Sequence, residues 1–208
     1  PPPRIPSSLG RMSSNHNSND TPVSHIATPG ALGFFAFACT TLVFGLSTVT
    51  AGGVHQPNVV VGMAISTGGI AQMLAGMWEF PTGNTFGATA FTLFGSFWLS
   101  YAAILIPGSG IRASYPTVGE LHIALGFFFT AWFGASLLVT FAALRKPAVF
   151  IALFAFLSSA FAFLGVGEFT AVQGVTQVGG ALGIVTALLA YYIAVAVLLA
   201  ADRAPALP

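Results

Sequence analysis

Among the polar side chains within or at the edges of otherwise apolar stretches, four could meet a solute: Gln72, Glu79, Asn84 and Thr85. Asn84 and Thr85 directly precede an apolar run, where unpaired backbone N–H groups and the positive end of a helix favour an anion. The same residues can equally act as an ordinary N-cap. Gln72 falls in the middle of an apolar run, and a buried amide must find partners. It either ties two helices together or offers a hydrogen bond to a passing solute. Glu79 falls at the C-terminal end of that run, where the helix field disfavours negative charge. Such a residue needs a specific partner, which Arg145 or Lys146 would supply; a gate or proton-sensitive role is the alternative. Glu120 and His122 open a later run and are read as solvated groups.

Much other chemistry is excluded. Of 208 residues, 55% are hydrophobic and 5% charged, against roughly 25% charged in a soluble domain. The net charge of +1 gives no basic field to hold nucleic acid. The middles of the apolar runs contain no Asp, Glu, Lys, Arg or His, so an intramembrane carboxylate relay is missing. Lys146 is the single lysine and lies in a turn, which removes a retinal-bearing lysine. His25, His55 and His122 are scattered over different segments, unlike the paired ligands of a haem or metal site. Serines have no base at their depth, as a hydrolase would need. One cysteine, Cys39, cannot form an intrachain disulfide and is read as a small core residue. The expectation is no enzyme, no cofactor and no metal.

The elements that must carry these residues are apolar runs long enough to cross a bilayer, which takes roughly 20 helical residues. Six are expected: Pro29 to Thr50, Val59 to Phe80, Phe86 to Ile106, Leu121 to Leu144, Ala148 to Val166 and Val178 to Ala201. Gly52-Gly53 with Pro57, Pro81 with Gly83-Asn84, Pro107 to Pro116, Arg145-Lys146-Pro147 and the stretch around Glu168 separate them. The predicted fold is an all-α polytopic membrane protein with its six-helix domain over 29–201. Residues 1–28, rich in Pro, Ser and Asn, read as a disordered tail, and 202–208 as a short second tail. Arg4, Arg11, Arg145, Lys146 and Arg203 fall on one side of such a bundle and Arg112 on the other, which predicts cytoplasmic termini. Ala-Leu-Gly-Phe-Phe occurs at 31–35 and again at 124–128, the echo expected of a 3+3 inverted repeat. Twenty-four glycines suit close helix packing, and twenty phenylalanines can fill gaps or line a narrow path.

Three stretches carry a resemblance beyond composition. They are Thr28-Pro29-Gly30-Ala31-Leu32-Gly33-Phe34 with Phe37-Ala38-Cys39-Thr40-Thr41, Ala71-Gln72-Met73-Leu74-Ala75-Gly76-Met77-Trp78-Glu79-Phe80, and Gly83-Asn84-Thr85-Phe86-Gly87-Ala88-Thr89-Ala90-Phe91 continuing to Gly95-Ser96-Phe97-Trp98-Leu99-Ser100. Together they resemble the acetate uptake transporter family of fungal acetate/ammonia-export-associated proteins and the bacterial succinate–acetate permease. The resemblance implies a plasma-membrane homo-hexamer in which each protomer carries acetate and similar monocarboxylates, without nucleic acid or cofactor. It also implies a constriction at Phe37, Phe94 and Leu157; from the residues' own chemistry, a carboxylate would meet Gln72, Asn84 and Thr85, with a gate or proton link at Glu79. Two departures stand out. Thr28 replaces the family's Asn, although it can still cap a helix ahead of Pro29. Phe94 replaces a Tyr, removing a hydroxyl from the constriction. An ammonia or neutral-solute channel, and a non-transporting sensor or structural ring, are the alternatives.

Overall fold

The computed structural model describes residues 26–54 and 58–202. The tail expected over 1–28 lies outside the described residues as far as His25, as do Arg4, Arg11, His55 and Arg203. Among the described residues six helices are long and apolar enough to cross a membrane. They are α1 (Gly30–Thr48), α2 (Asn58–Glu79), α3 (Thr85–Leu105), α4 (Val118–Ala142), α5 (Ala148–Thr170) and α6 (Gln173–Asp202).

Most breaks fall at the expected punctuation. At the α2–α3 turn Gly83 takes φ +79, and Asn84 then caps α3 by accepting a hydrogen bond from the Gly87 N–H at 3.1 Å. Thr117 caps α4 by accepting from the Glu120 N–H at 3.2 Å, so α4 starts before the expected Leu121. Three expectations are corrected. Helix α5 continues through Glu168 to Thr170 instead of stopping at Val166, because His122 of α4 meets the Glu168 carboxylate at 2.6 Å. Helix α6 begins at Gln173, ahead of Val178, since Ala171 in the left-handed region makes the turn within a few residues. Thr28 does not cap α1. Pro29 is already helical at φ −75, ψ −16, so its carbonyl takes the first bond, from the Gly33 N–H, and no side chain caps the helix.

Helix α2 contains a feature that periodicity alone does not reveal. Residues Ser66–Ala71 form a π-helical turn. Val60, Ala64, Gly68, Gln72 and Gly76 are buried at four-residue spacing, which in a plain α-helix would drift by roughly 160° around the axis. One extra residue in a π turn takes back roughly 100° of that drift. The bulge therefore keeps Gln72 and Glu79 on the inner face that Val60 begins.

Helix α1 packs against α2 and α6, α2 against α3, α4 against α5, and α5 against α6. Glycine permits two close helix approaches. A Cβ on Gly45 of α1 would lie 2.8 Å from the Gly180 carbonyl of α6, and one on Gly76 of α2 would lie 2.6 Å from the Thr92 nitrogen of α3. Phenylalanine fills the wider gaps. Phe97 of α3 has its ring centroid 5.2 Å from Trp132 of α4 and 4.9 Å from Phe161 of α5, both edge-to-face. The hydroxyls in the spans are mostly absorbed locally: Thr40, Thr41 and Thr186 each donate to the carbonyl four residues earlier.

Candidate functional site

A cavity of about 310 Å³ opens between α1, α2, α3 and α5 at the end of the bundle that carries the α2–α3 and α4–α5 turns. Its walls are mostly phenylalanine, including Phe34, Phe86, Phe91, Phe150 and Phe154. Gln72, Glu79, Asn84 and Lys146 contribute its nitrogen-bearing and acidic side chains. A second space of about 20 Å³ lies deeper, lined by Thr41, Trp98, Leu157 and Phe161 among others. Phe37 borders both cavities, Phe94 the larger and Leu157 the smaller. The Phe37 and Phe94 centroids are 6.2 Å apart, and all three residues are buried. Phe37 is thus the residue that the two spaces share, with Phe94 beside it.

Glu79 is 3% exposed, yet it does not pair with Arg145 or Lys146, which corrects the simplest expectation for its partner. Its Oε2 accepts from Asn84 Nδ2 at 2.9 Å and from the Thr82 hydroxyl at 3.2 Å. Its Oε1 lies 3.1 Å from where a Cβ on Gly30 would stand, and its Cδ 3.3 Å from the same point on Gly87. Gly30 begins α1 and Gly87 lies in the first turn of α3. The carboxyl therefore sits between two positive helix ends, which offset the unfavourable field of its own helix without a cation. Lys146 instead holds its ammonium 5.1 Å above the Phe86 ring at the cavity wall.

Asn84 performs two tasks at once: Oδ1 caps α3 while Nδ2 holds Glu79. Thr85 is exposed and is not part of the cavity wall, so the structure does not bring it together with the others. Gln72 is 1% exposed; its Nε2 donates to the Phe91 carbonyl at 3.4 Å, and its Oε1 has no partner among the described residues. The interhelical tie expected of it exists, through this one bond. Trp98 Nε1 and Thr92 Oγ1 are likewise buried without partners. His122 is not simply solvated, since its Nδ1 meets Glu168 at the opposite end of the bundle, whereas Glu120 is exposed as expected.

Sequence reasoning missed Thr82, Lys146 as a wall residue, and the His122–Glu168 contact. The first had a local signal, the Glu-Phe-Pro-Thr-Gly-Asn turn, whose tight geometry brings residues three and five positions apart onto one carboxyl. No group of three or more His, Cys, Asp or Glu able to hold a metal occurs among the described residues.

An all-helical bundle of six spans around an apolar cavity is the architecture of a multi-pass membrane protein, and the family and solved structure it matches are of the transporter and channel class. The chain belongs to the GPR1/FUN34/yaaH family, which it matches over residues 10–206. Among its relatives is ammonia transport outward protein 2 of Saccharomyces cerevisiae, 42% identical over 172 residues, covering 82% of this chain and 61% of that protein. Acetate permease A of Emericella nidulans is 37% identical over 181 residues, covering 82% of this chain and 61% of its own. The chain spans about three-fifths of the length of these fungal relatives. The solved structure of the bacterial acetate channel SatP superposes with a TM-score of 0.77 at 32% identity, covering 88% of this chain and 98% of that one.

Proposed function

We propose that this chain moves acetate and similar small monocarboxylates across a membrane, along a path that narrows at Phe37, Phe94 and Leu157. The observation that carries this reading is a pair of cavities that share Phe37, with Phe94 on the wall of the larger and Leu157 on that of the smaller. An apolar neck excludes hydrated ions through their desolvation cost and large acids by size. Asn84 and Lys146, at the mouth of the larger cavity, offer donors to a carboxylate, and Gln72 waits deeper along the same wall. Glu79 acts as the gate or proton-linked group, because an acid held there by one amide and one hydroxyl can change partners when a solute arrives. Likeness to acetate permease A and to the SatP channel supports the substrate class.

The larger cavity opens to the cytoplasm on this reading, because Arg145 and Lys146 flank its mouth and Arg112 lies at the other end. The plasma membrane as location, a ring of six copies and a 3+3 inverted repeat complete the proposal. A second reading, export of ammonia, rests on Glu79 as a buried acid beside aromatic rings and on the likeness to ammonia transport outward protein 2. Uptake of labelled acetate and of methylammonium by liposomes holding the purified protein separates the two. Acetate alone should enter faster than into protein-free vesicles; methylammonium alone would favour the second.

A further inference from the structure

One exposed hydroxyl on the wall of the larger cavity has no part in the function proposed above. Thr28 lines that cavity, is exposed, and caps no helix. Residues Ile26 to Thr28 belong to no helix, and α1 begins only at Gly30. Pro29 follows directly, and a proline biases the residue before it away from the helical region while offering no N–H of its own. An exposed threonine in irregular chain immediately before a proline is the acceptor that a proline-directed protein kinase takes.

The neighbours of Thr28 give a phosphate there a definite effect. Thr28 Cγ2 lies 3.9 Å, and Glu79 Oε1 3.1 Å, from the point where a Cβ on Gly30 would stand, so these two atoms are at most about 7 Å apart. A phosphate brings a charge of about −1.5 to −2 and three strong acceptor oxygens. Set this close to Glu79, it repels the carboxylate and competes with it for the positive start of α1. One acid, Glu79, and one base, Lys146, line the cavity among the described residues, so the added charge leaves the mouth strongly negative. Lys146, whose ammonium stands 5.1 Å above the Phe86 ring, would turn to the phosphate and be lost as a donor to an arriving solute.

We propose that Thr28 is a phosphorylation site and that its phosphate shuts the mouth of the larger cavity to carboxylate ions. The inference rests on the monocarboxylate reading and on the cytoplasmic placing of that mouth, where kinases and ATP are found. In the transfer Thr28 Oγ1 attacks the γ-phosphorus of ATP. The Oγ1–P bond forms as the bond to the departing ADP oxygen breaks, and the hydroxyl proton passes to the catalytic base of the kinase. Nothing is oxidised or reduced. Thr21, which also precedes a proline, supplies an internal comparison.

The test treats the purified full chain with a proline-directed kinase and ATP, maps the phosphate by mass spectrometry, and follows labelled acetate entry after reconstitution into liposomes. Thr28 should be modified in the folded chain. Acetate entry should then fall about tenfold at low salt and by less as salt rises, because exposed charges are screened. A phosphatase should restore it. Kinase treatment of Thr28→Asn, in which Thr21 is still available, should change its acetate entry by less than about twofold, which separates the two threonines. A chain that takes no phosphate on Thr28, whether or not Thr21 takes one, would overturn the site. Full modification of Thr28 with acetate entry unchanged would overturn the shutting of the mouth. Untreated protein that moves no acetate would overturn that effect together with the monocarboxylate reading, and the mass spectrum would still decide the site. Should Thr28→Asn not fold, wild-type protein before and after the phosphatase gives the same decision.

Discussion

Removing the Asn84 side chain should separate its two tasks. Asn84→Ala deletes the N-cap of α3, worth about 1 kcal/mol. It also deletes the 2.9 Å bond from Nδ2 to Glu79, leaving a buried carboxyl with the more distant Thr82 hydroxyl as its remaining side-chain donor. A hydrogen bond to a charged group contributes about 1.5–3 kcal/mol, and the lower end applies here because Asn84 itself is open to water. The expected loss is then about 2.5 kcal/mol. In a Glu79→Ala background the second part is already gone, so Asn84→Ala should cost only the cap, and the two substitutions should couple by about 1.5 kcal/mol. Denaturant unfolding of the four purified proteins in one detergent measures the cycle. Additivity within about 0.5 kcal/mol would refute the argument that Asn84 holds Glu79 in place. In transport, Asn84→Ala should also weaken acetate entry more than Glu120→Gln does, since Glu120 is exposed and its side chain makes no hydrogen bond among the described residues.

Leu157→Ala should admit lactate or a longer acid while acetate entry persists; a loss of about 2–5 kcal/mol in stability with no new substrate would make Leu157 a packing residue instead. Phe94→Tyr, which restores the family's hydroxyl beside Phe154 and Trp132, should keep or strengthen acetate entry, and a profile unchanged in both variants would put the neck elsewhere. His122→Ala and Glu168→Gln should each cost under about 1 kcal/mol, because the His122 side chain is 39% exposed and water screens the pair. Their double variant should cost no more than the worse of the two, and full additivity would mean that the contact contributes nothing. In a Cys39→Ala background, an impermeant maleimide should label Ser109→Cys on intact cells and spare Ser13→Cys; the reverse pattern would invert the topology.

The six spans were legible because lipid imposes a single strong rule, length without charge, and the turns were legible because Pro, Gly and Asn have specific backbone uses. What the sequence hid had local causes. The stop assigned at Glu168 came from treating a charge as a break, whereas His122 on a neighbouring helix neutralises that reason. From sequence Glu79 calls for a cation, whereas two helix starts and a turn surround it, and tertiary proximity of Gly30 and Gly87 is not written in spacing. The π turn in α2 was invisible because its residues, Ser66 to Ala71, fit an α-helix equally well; the buried stripe on either side reveals it only once burial is known. Gln72 was marked from sequence as an amide needing partners, yet which of its ends lacks one depends on the Phe91 carbonyl across the helix pair.

The central claim is that a small monocarboxylate crosses this bundle, and labelled acetate entry into liposomes reconstituted with the purified chain tests it most directly. Entry should exceed that into protein-free vesicles, saturate with acetate, and be competed by propionate and not by a bulky aromatic acid that the Phe37–Phe94 neck excludes. Folded protein that leaves acetate entry at the protein-free rate would contradict the account.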